Sequence, residues 1–260
     1  MGFATSDAGS REWLPASQQR DARGGNDRLK ATGSDTSLFG DAYSMSEHAR
    51  GGNDSLKATG SGNSLYGDAR YMSDHARGGN DSLTVTGYLS ALFGDALEMS
   101  GDARGGNDSL TCTGGSSHIF VVGDAAQMSG DARGGNDRLT ATGGGNSGDN
   151  GLIGDAFDMS GDARGGNDRL TATGAFEQAL VGDAYSMADH ARGGNDSLSA
   201  TGVAGGNNLF GDTRNEMSGD ARGGNDSLTS TTTGYVGGNS LFGDARYMSD
   251  HARGGNDSLT

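Results

Sequence analysis

Aspartates beside glycines recur along this chain of 260 residues, and they are the residues best suited to chemistry. One row belongs to Gly-Gly-Asn-Asp, which occurs nine times, a second to Gly-Asp-Ala, and a third follows methionine in Ser-Gly-Asp-Ala. We predict that all three rows contribute metal ligands. The first row is Asp27, Asp54, Asp81, Asp108, Asp137, Asp168, Asp196, Asp226 and Asp257. The second row is Asp41, Asp68, Asp95, Asp124, Asp155, Asp183, Asp212 and Asp244. The third row is Asp102, Asp131, Asp162 and Asp220.

The spacing of the copies, 27 to 31 residues, is typical of a repeat array in which each copy stacks on the next. Coils stacked about 4.8 Å apart bring each carboxylate close to its own copy, and like charges at that distance repel. A hard cation such as Ca²⁺ fits between them, because it takes 6–8 oxygen ligands and glycine turns leave carbonyl oxygens free to join the carboxylates.

Arginine offers an alternative partner for the aspartates. One Arg recurs in every copy and could interleave with the acids in an Arg–Asp ladder. One Arg cannot balance three carboxylates, which favours Ca²⁺, and the sequence leaves the ladder open. The row is Arg23, Arg50, Arg77, Arg104, Arg133, Arg164, Arg192, Arg222 and Arg253.

Three apolar positions in each repeat indicate the elements that carry these rows. Leu29 is followed by Leu38, Met45 and then Leu56, and glycine-rich corners separate these short segments. Segments of 3–5 residues are too short for helices. The sequence therefore predicts an all-β fold, a right-handed parallel β-solenoid of about nine coils with three short strands each. Residues 21–260 form this single domain, and residues 1–20 an N-terminal arm or cap.

Alternation after each Asn-Asp predicts which side chains face inward. Period two places Leu29 and Ala31 inside and Lys30 outside, and the equivalents of Ala31 are all small. Cys112 occupies one of these inward positions, so we expect a buried packing residue rather than a nucleophile. The eight methionines after Met1 share one phase, which predicts a stacked internal row.

Length varies almost entirely in the segment from Gly-Gly-Asn-Asp to Gly-Asp-Ala, so the insertions should bulge from one edge.

Composition narrows the classes of function. The net charge is −15, from 34 acidic and 19 basic residues, which argues against a nucleic-acid partner. The sequence has no apolar run long enough to span a membrane and no apolar signal segment near its start. No arrangement of Ser, His or Asp typical of a catalytic site appears, so we do not expect an enzyme.

The motif Gly-Asn-Asp-Ser-Leu resembles part of the nonapeptide of hemolysin-type calcium-binding repeats, the repeats-in-toxin (RTX) family. The similarity covers residues 21–260. It implies Ca²⁺ bound by aspartates and turn carbonyls in an exported bacterial protein. It supports Asp27 and its equivalents as ligands, and leaves Asp41 and its equivalents as weaker candidates. The steps of seven and eleven residues depart from the family's nine, and a period of 27 fits a three-sided coil.

These observations predict an extracellular or cell-surface structural protein, secreted by a non-classical route, that binds Ca²⁺ as its cofactor. We expect head-to-tail self-association into a filament, matrix or adhesive layer, because the sequence stops within a repeat and shows no capping segment. One alternative is the secretion and folding module of an exported enzyme or toxin. Another is an ice-binding adhesin segment, since Thr-x-Thr recurs at outward positions, as in Thr140-Ala141-Thr142.

Overall fold

A computed structural model describes residues 22–87, 90–114, 119–143, 149–174, 177–202, 206–232 and 238–260. Every regular element in these ranges is a β-strand, and each repeat supplies three of them to three separate parallel sheets. The predicted fold class, a parallel β-solenoid, is confirmed. Within the described ranges, no helix has the length and apolar character needed to cross a membrane.

The first strand of each repeat begins directly after Asn-Asp and joins a sheet of nine strands. These strands are β1 (Arg28–Thr32), β4 (Ser55–Thr59), β7 (Ser82–Thr86), β10 (Ser109–Thr113), β13 (Arg138–Thr142), β16 (Arg169–Thr173), β19 (Ser197–Gly202), β22 (Ser227–Thr232) and β25 (Ser258–Leu259).

The second and third strands of each repeat flank the Gly-Asp corner and form two sheets of eight strands. The second sheet contains β2 (Ser37–Phe39), β5 (Ser64–Tyr66), β8 (Ala91–Phe93), β11 (Ile119–Val122), β14 (Asp149–Ile153), β17 (Glu177–Val181), β20 (Asn207–Phe210) and β23 (Ser240–Phe242). The third contains β3 (Ala42–Met45), β6 (Ala69–Met72), β9 (Ala96–Met99), β12 (Ala125–Met128), β15 (Ala156–Met159), β18 (Ala184–Met187), β21 (Thr213–Met217) and β24 (Ala245–Met248).

The chain makes about seven full turns, so the prediction of nine coils was wrong. Two of the sheets have eight strands each, and seven steps separate the first strand from the last. The ninth Gly-Gly-Asn-Asp copy is followed only by β25, a strand of two residues. Counting motifs overestimated the turns because each motif marks one corner of a coil, and a corner at either end of the array does not complete a turn.

The inward side chains of the first strand alternate as predicted. Leu29 and Ala31 are buried while Lys30 is exposed, and Leu29 lies in register with Leu56. Cys112 is fully buried between Val85 and Ala141, so its predicted packing role is confirmed. Each contact between stacked copies therefore joins side chains of similar size, which allows a small number of residue types to fill a long core.

Two apolar cores fill the interior, and they are separate. The leucines and small residues of the first two sheets form one core. The methionines of the third sheet pack with the alanines that precede the arginine row and form the other. The methionines lie in register from coil to coil, for example Met99, Met128 and Met159, which confirms the predicted internal row.

A third apolar cluster lies outside the coil, along the corner between the second and third sheets. Phe39 stacks on Tyr66 with ring centroids 4.9 Å apart, and Tyr66 stacks on Phe93 at 5.3 Å. In later coils Val122 and Ile153 take the same place and are buried. The sequence did not predict this cluster, because the alternation was used only for the strand after each Asn-Asp and not for the strand that contains Phe39.

The segment of variable length connects the first strand to the second in each coil. All residues beyond position 21 that the structure leaves undescribed fall in this segment. The predicted bulging of the insertions therefore lies outside the described residues, as does the predicted arm at residues 1–20.

Candidate metal centre

Two of the three predicted aspartate rows lie inside the solenoid. Asp68 and its equivalents as far as Asp212 have no exposed surface, and Asp54 and its equivalents as far as Asp226 are at most 3% exposed. Asp27 lies two residues before the inward Leu29, so the alternation of the first strand also directs Asp27 inward. The second row follows Leu38 and its equivalents by three residues, across a glycine.

Each aspartate of the Asn-Asp row from Asp54 to Asp257 uses one carboxylate oxygen to connect two coils. The backbone N–H of Asp54 donates to Oδ1 of Asp81 at 2.7 Å, and the N–H of Asp81 donates to Oδ1 of Asp108 at 2.7 Å. The second oxygen, Oδ2, has no hydrogen-bond partner among the described residues. This holds for Asp54, Asp81, Asp108, Asp137, Asp168, Asp196 and Asp226.

The aspartates of the Gly-Asp-Ala row also accept a backbone hydrogen bond, in their case from a glycine eleven or twelve residues later in the chain. Oδ1 of Asp95 accepts a hydrogen bond from the backbone N–H of Gly106 at 2.8 Å, and Oδ1 of Asp124 accepts one from Gly135 at 2.7 Å. Oδ2 of both aspartates is buried and without a hydrogen-bond partner among the described residues. The same is true of Asp155, Asp183 and Asp212.

A glycine carbonyl oxygen converges on each unpartnered oxygen of the Asn-Asp row. A Cβ atom added at Gly94 would overlap both the carbonyl oxygen of Gly123 and Oδ2 of Asp108, so these two oxygens face one point. No backbone N–H between described turns donates to the Gly123 carbonyl. The arrangement occurs seven times, beside Gly40, Gly67, Gly94, Gly123, Gly154, Gly182 and Gly211.

The two rows approach each other at the start of the solenoid, the one place among the described residues where three of these carboxylates come together. Asp27, Asp41 and Asp54 each offer one oxygen atom within 4.8 Å of the other two. Carboxylate and carbonyl oxygens are the ligands that hard divalent cations prefer. We call the two inner aspartate rows and the glycine carbonyl oxygens beside them the column. Its donor set fits a cation such as Ca²⁺, and it contains no nitrogen or sulfur that would favour a softer metal.

Burial makes the carboxylates difficult to ionise without a cation. The pKa is raised to about 7 for Asp54 and to about 8 for Asp81, mainly through desolvation by burial and in smaller part through the charges of neighbouring aspartates. The pKa of Asp124 lies well above its ordinary value because of burial and the charges of Asp137 and Asp95. Near neutral pH the column must therefore gain protons or bind cations.

Arginine does not neutralise the column. The side chains of the arginine row are exposed from Arg23 to Arg253. The ion pairs among the described residues join histidines to outer aspartates, as between His75 and Asp102 at 3.1 Å and between His190 and Asp220 at 3.7 Å. The Arg–Asp ladder that the sequence left open therefore has no contact to support it in the described ranges.

The third predicted row is not brought to the column. Asp102, Asp131, Asp162 and Asp220 are exposed on the outer surface. The residue before each of them is a glycine in the left-handed region, such as Gly101 at φ 65°. Where histidine replaces the aspartate, an acidic residue takes this turn position instead, such as Asp74 at φ 58°. Aspartate tolerates this conformation better than most residues, which explains the one-place shift in the sequence.

The two inner rows account for the acidic character of the chain. They contain seventeen of its 34 acidic residues, which leaves 17 acidic residues against 19 basic ones elsewhere. Thirteen of these seventeen aspartates are buried, so most of the excess negative charge belongs to the interior, where it is costly.

No family model, curated protein or solved structure matches this chain.

Proposed function

We propose that the chain is an extracellular structural solenoid that Ca²⁺ stabilises from within. The observation that carries this proposal is the buried, unpartnered Oδ2 of the Asn-Asp row, which repeats in seven coils and faces a glycine carbonyl oxygen each time. A buried carboxylate without a partner is strongly unfavourable, and a bound cation removes that cost.

The hydrogen bonds of the aspartates give the cation a structural role. Oδ1 of Asp108 accepts a hydrogen bond from the backbone of Asp81 in the preceding coil, while its Oδ2 is directed at the cation position. A cation held there would connect neighbouring coils as well as cancel charge. Ca²⁺ suits such a site better than Mg²⁺, because it accepts irregular oxygen cages, whereas Mg²⁺ demands near-octahedral geometry and retains water.

Circular dichroism with controlled Ca²⁺ tests this proposal. We expect excess chelator at pH 7.5 to lower the melting temperature of the β spectrum and Ca²⁺ to restore it, with Mg²⁺ much less effective. A chain that keeps the same spectrum and melting temperature with and without chelator would refute it.

Self-association is part of the proposal, and the way the coils stack is the reason for it. Like residues lie in register in parallel strands from coil to coil, as Met99, Met128 and Met159 do, so coils of two chains can stack through the same contacts. Unbranched fibres in electron micrographs with Ca²⁺ are the expected result, and a monomer by light scattering at high concentration contradicts it.

Ice binding is a second candidate, supported by the outer face of the first sheet. Thr111, Thr140 and Thr171 lie in register there, as do Thr113, Thr142 and Thr173. Thermal hysteresis is the test, and replacing Thr142 and Thr173 by Tyr should abolish it. The same replacement at the exposed Glu98 and Asp158 of the third sheet serves as control. Absence of hysteresis in the unaltered chain eliminates this candidate.

Right-handed coiling, a non-classical export route and a role as a secretion module stay predictions.

A further inference from the structure

The arginine row forms a line of positive charge along the outer surface. The backbone of each arginine pairs in parallel with that of the arginine in the next coil, as for Arg50, Arg77 and Arg104. The side chains therefore repeat about every 4.8 Å. These side chains are exposed, and none of them has an ion-pair partner within the described ranges. Like charges at this spacing repel one another, so the row favours an anionic ligand that spans several coils.

A groove of about 390 Å³ runs beside this row in the second, third and fourth coils. One wall is the arginine row, and the second wall is the row of residues two places before each arginine. The groove is lined by His48, Arg50, His75, Arg77, Asp102 and Arg104.

Histidine takes the place of aspartate in the second wall of the groove in two of its three coils. His48 and His75 stand where later coils carry Asp131 and Asp162, and their rings stack with centroids 5.1 Å apart. Asp102 is the only acidic residue that lines the groove, and it contacts Nδ1 of His75 at 3.1 Å.

The acidic residues of the adjoining turn do not line the groove. The carboxylate of Asp74 accepts hydrogen bonds from the backbone N–H of Glu47 at 3.4 Å and the hydroxyl of Ser73 at 3.3 Å. Three guanidinium groups therefore face the groove against one carboxylate that a histidine already contacts.

We propose that this groove binds a linear acidic polysaccharide, whose carboxylate or sulfate groups contact Arg50, Arg77 and Arg104 in successive coils. Guanidinium groups bind such oxyanions through two parallel hydrogen bonds. The protein repeats its charge about every 4.8 Å, whereas the phosphates of a stacked nucleic-acid strand repeat about every 3.4 Å along the axis. A chain with one charged sugar per step fits this longer repeat better.

Hydroxyl groups of the polysaccharide have partners near the same corner. The third residue after each arginine is an exposed asparagine, and these asparagines form a row parallel to the arginine row. Within it, Nδ2 of Asn107 donates to Oδ1 of Asn80 at 3.2 Å. Amide groups of this kind bind sugar hydroxyls as donors and acceptors. The groove consists of exposed side chains, so this proposal goes beyond the calcium column and does not require it.

Calorimetric titration of the full chain with a heparin-derived hexasaccharide tests the proposal. We expect the triple variant Arg50→Gln, Arg77→Gln, Arg104→Gln to bind roughly tenfold more weakly, since each exposed charge pair contributes up to a few-fold. The salt dependence should fall by about one released ion for each arginine removed. The matched control, Arg133→Gln, Arg164→Gln, Arg222→Gln, removes the same charge from coils whose second wall is aspartate, and should change binding by less than about twofold.

Three results would overturn the proposal. The first is no binding of the hexasaccharide by the unaltered chain, and the second is an equal loss in both triple variants. The third is tighter binding of a single-stranded DNA hexanucleotide than of the hexasaccharide. Circular dichroism of all three proteins in the titration buffer shows whether the fold is retained. Failure of the folded, unaltered chain to bind the hexasaccharide then counts against the groove proposal alone, and not against the calcium proposal.

Discussion

Oδ1 of Asp137 accepts a 2.7 Å hydrogen bond from the backbone N–H of Asp108, while Oδ2 of Asp137 is buried and has no hydrogen-bond partner among the described residues. One oxygen of each such carboxylate therefore joins two coils, and the other is available to a cation. This relationship repeats along the solenoid. The same carboxylates therefore hold neighbouring coils together and offer the oxygens at which the interior charge can be neutralised.

Replacing Asp137 by Asn should have opposite effects with and without Ca²⁺. Oδ1 of the new side chain still accepts the hydrogen bond from Asp108, and its amide nitrogen can donate to the carbonyl of Gly154, which faces the same point. In excess chelator at pH 7.5 we expect Asp137→Asn to raise the free energy of unfolding by about 1–3 kcal/mol, because a buried carboxyl group that must either hold a charge or take up a proton is replaced by a neutral amide.

With saturating Ca²⁺ the same variant should be less stable than the unaltered chain, since one cation site is lost. The matched control is Asp131→Asn, an exposed acid in the same repeat. It should change the free energy of unfolding by less than about 0.5 kcal/mol in either condition. Denaturant unfolding measures all four values, and an effect of equal sign in both conditions contradicts the assignment.

The stability of the metal-free protein should fall as pH rises. The pKa is raised to about 7 for Asp54 and Asp168 and to about 8 for Asp212, so the folded state binds more protons than the unfolded state above pH 4. This stabilisation is fully present below pH 4 and is lost as pH rises through 7 to 8. We expect melting temperatures in chelator to decrease from pH 5 to pH 8, and Ca²⁺ to reverse the decrease. Stability that increases with pH in chelator would contradict the raised pKa values.

Adding one methyl group at the Gly-Asp corner should disrupt the column. A Cβ at Gly94 would overlap the backbone oxygen of Gly123 and Oδ2 of Asp108, neither of which can move freely. Gly94→Ala should lower the free energy of unfolding by about 1–3 kcal/mol and weaken Ca²⁺ binding. Gly238→Ala is the control, because a Cβ there meets no atom within 4 Å. Equal stability of the two variants would show that the corner is looser than described.

The methionine row should contribute to stability by packing alone. Met128 is 1% exposed and stacks between Met99 and Met159. Met128→Ala should cost about 2–5 kcal/mol through lost contacts and a cavity, with no change in Ca²⁺ stoichiometry. The neighbouring Gln127, which is exposed, provides the control Gln127→Ala. A change in bound calcium would mean that the methionine core and the column are coupled.

The repeat and its alternation were enough to predict the sheets, because each strand position is sampled many times in one chain. The phases of Leu29, Leu38 and Met45 placed three strands in each coil, and the inward position of Asp27 also follows from its spacing to Leu29. The burial of Asp68 did not follow, since the chain changes direction at Gly67 and the strand alternation is interrupted there. Exposure of Asp102 was missed for a similar reason, because its turn begins at a left-handed glycine.

The number of calcium ions bound per chain tests the central claim most directly. Seven coils pair a glycine carbonyl with an unpartnered Asp Oδ2, so equilibrium dialysis followed by elemental analysis should give about seven Ca²⁺ per folded chain. The count should fall by about one in Asp137→Asn and stay unchanged in Asp131→Asn. A folded protein that binds no calcium at millimolar concentration, or loses the same number of ions in both variants, would contradict this account.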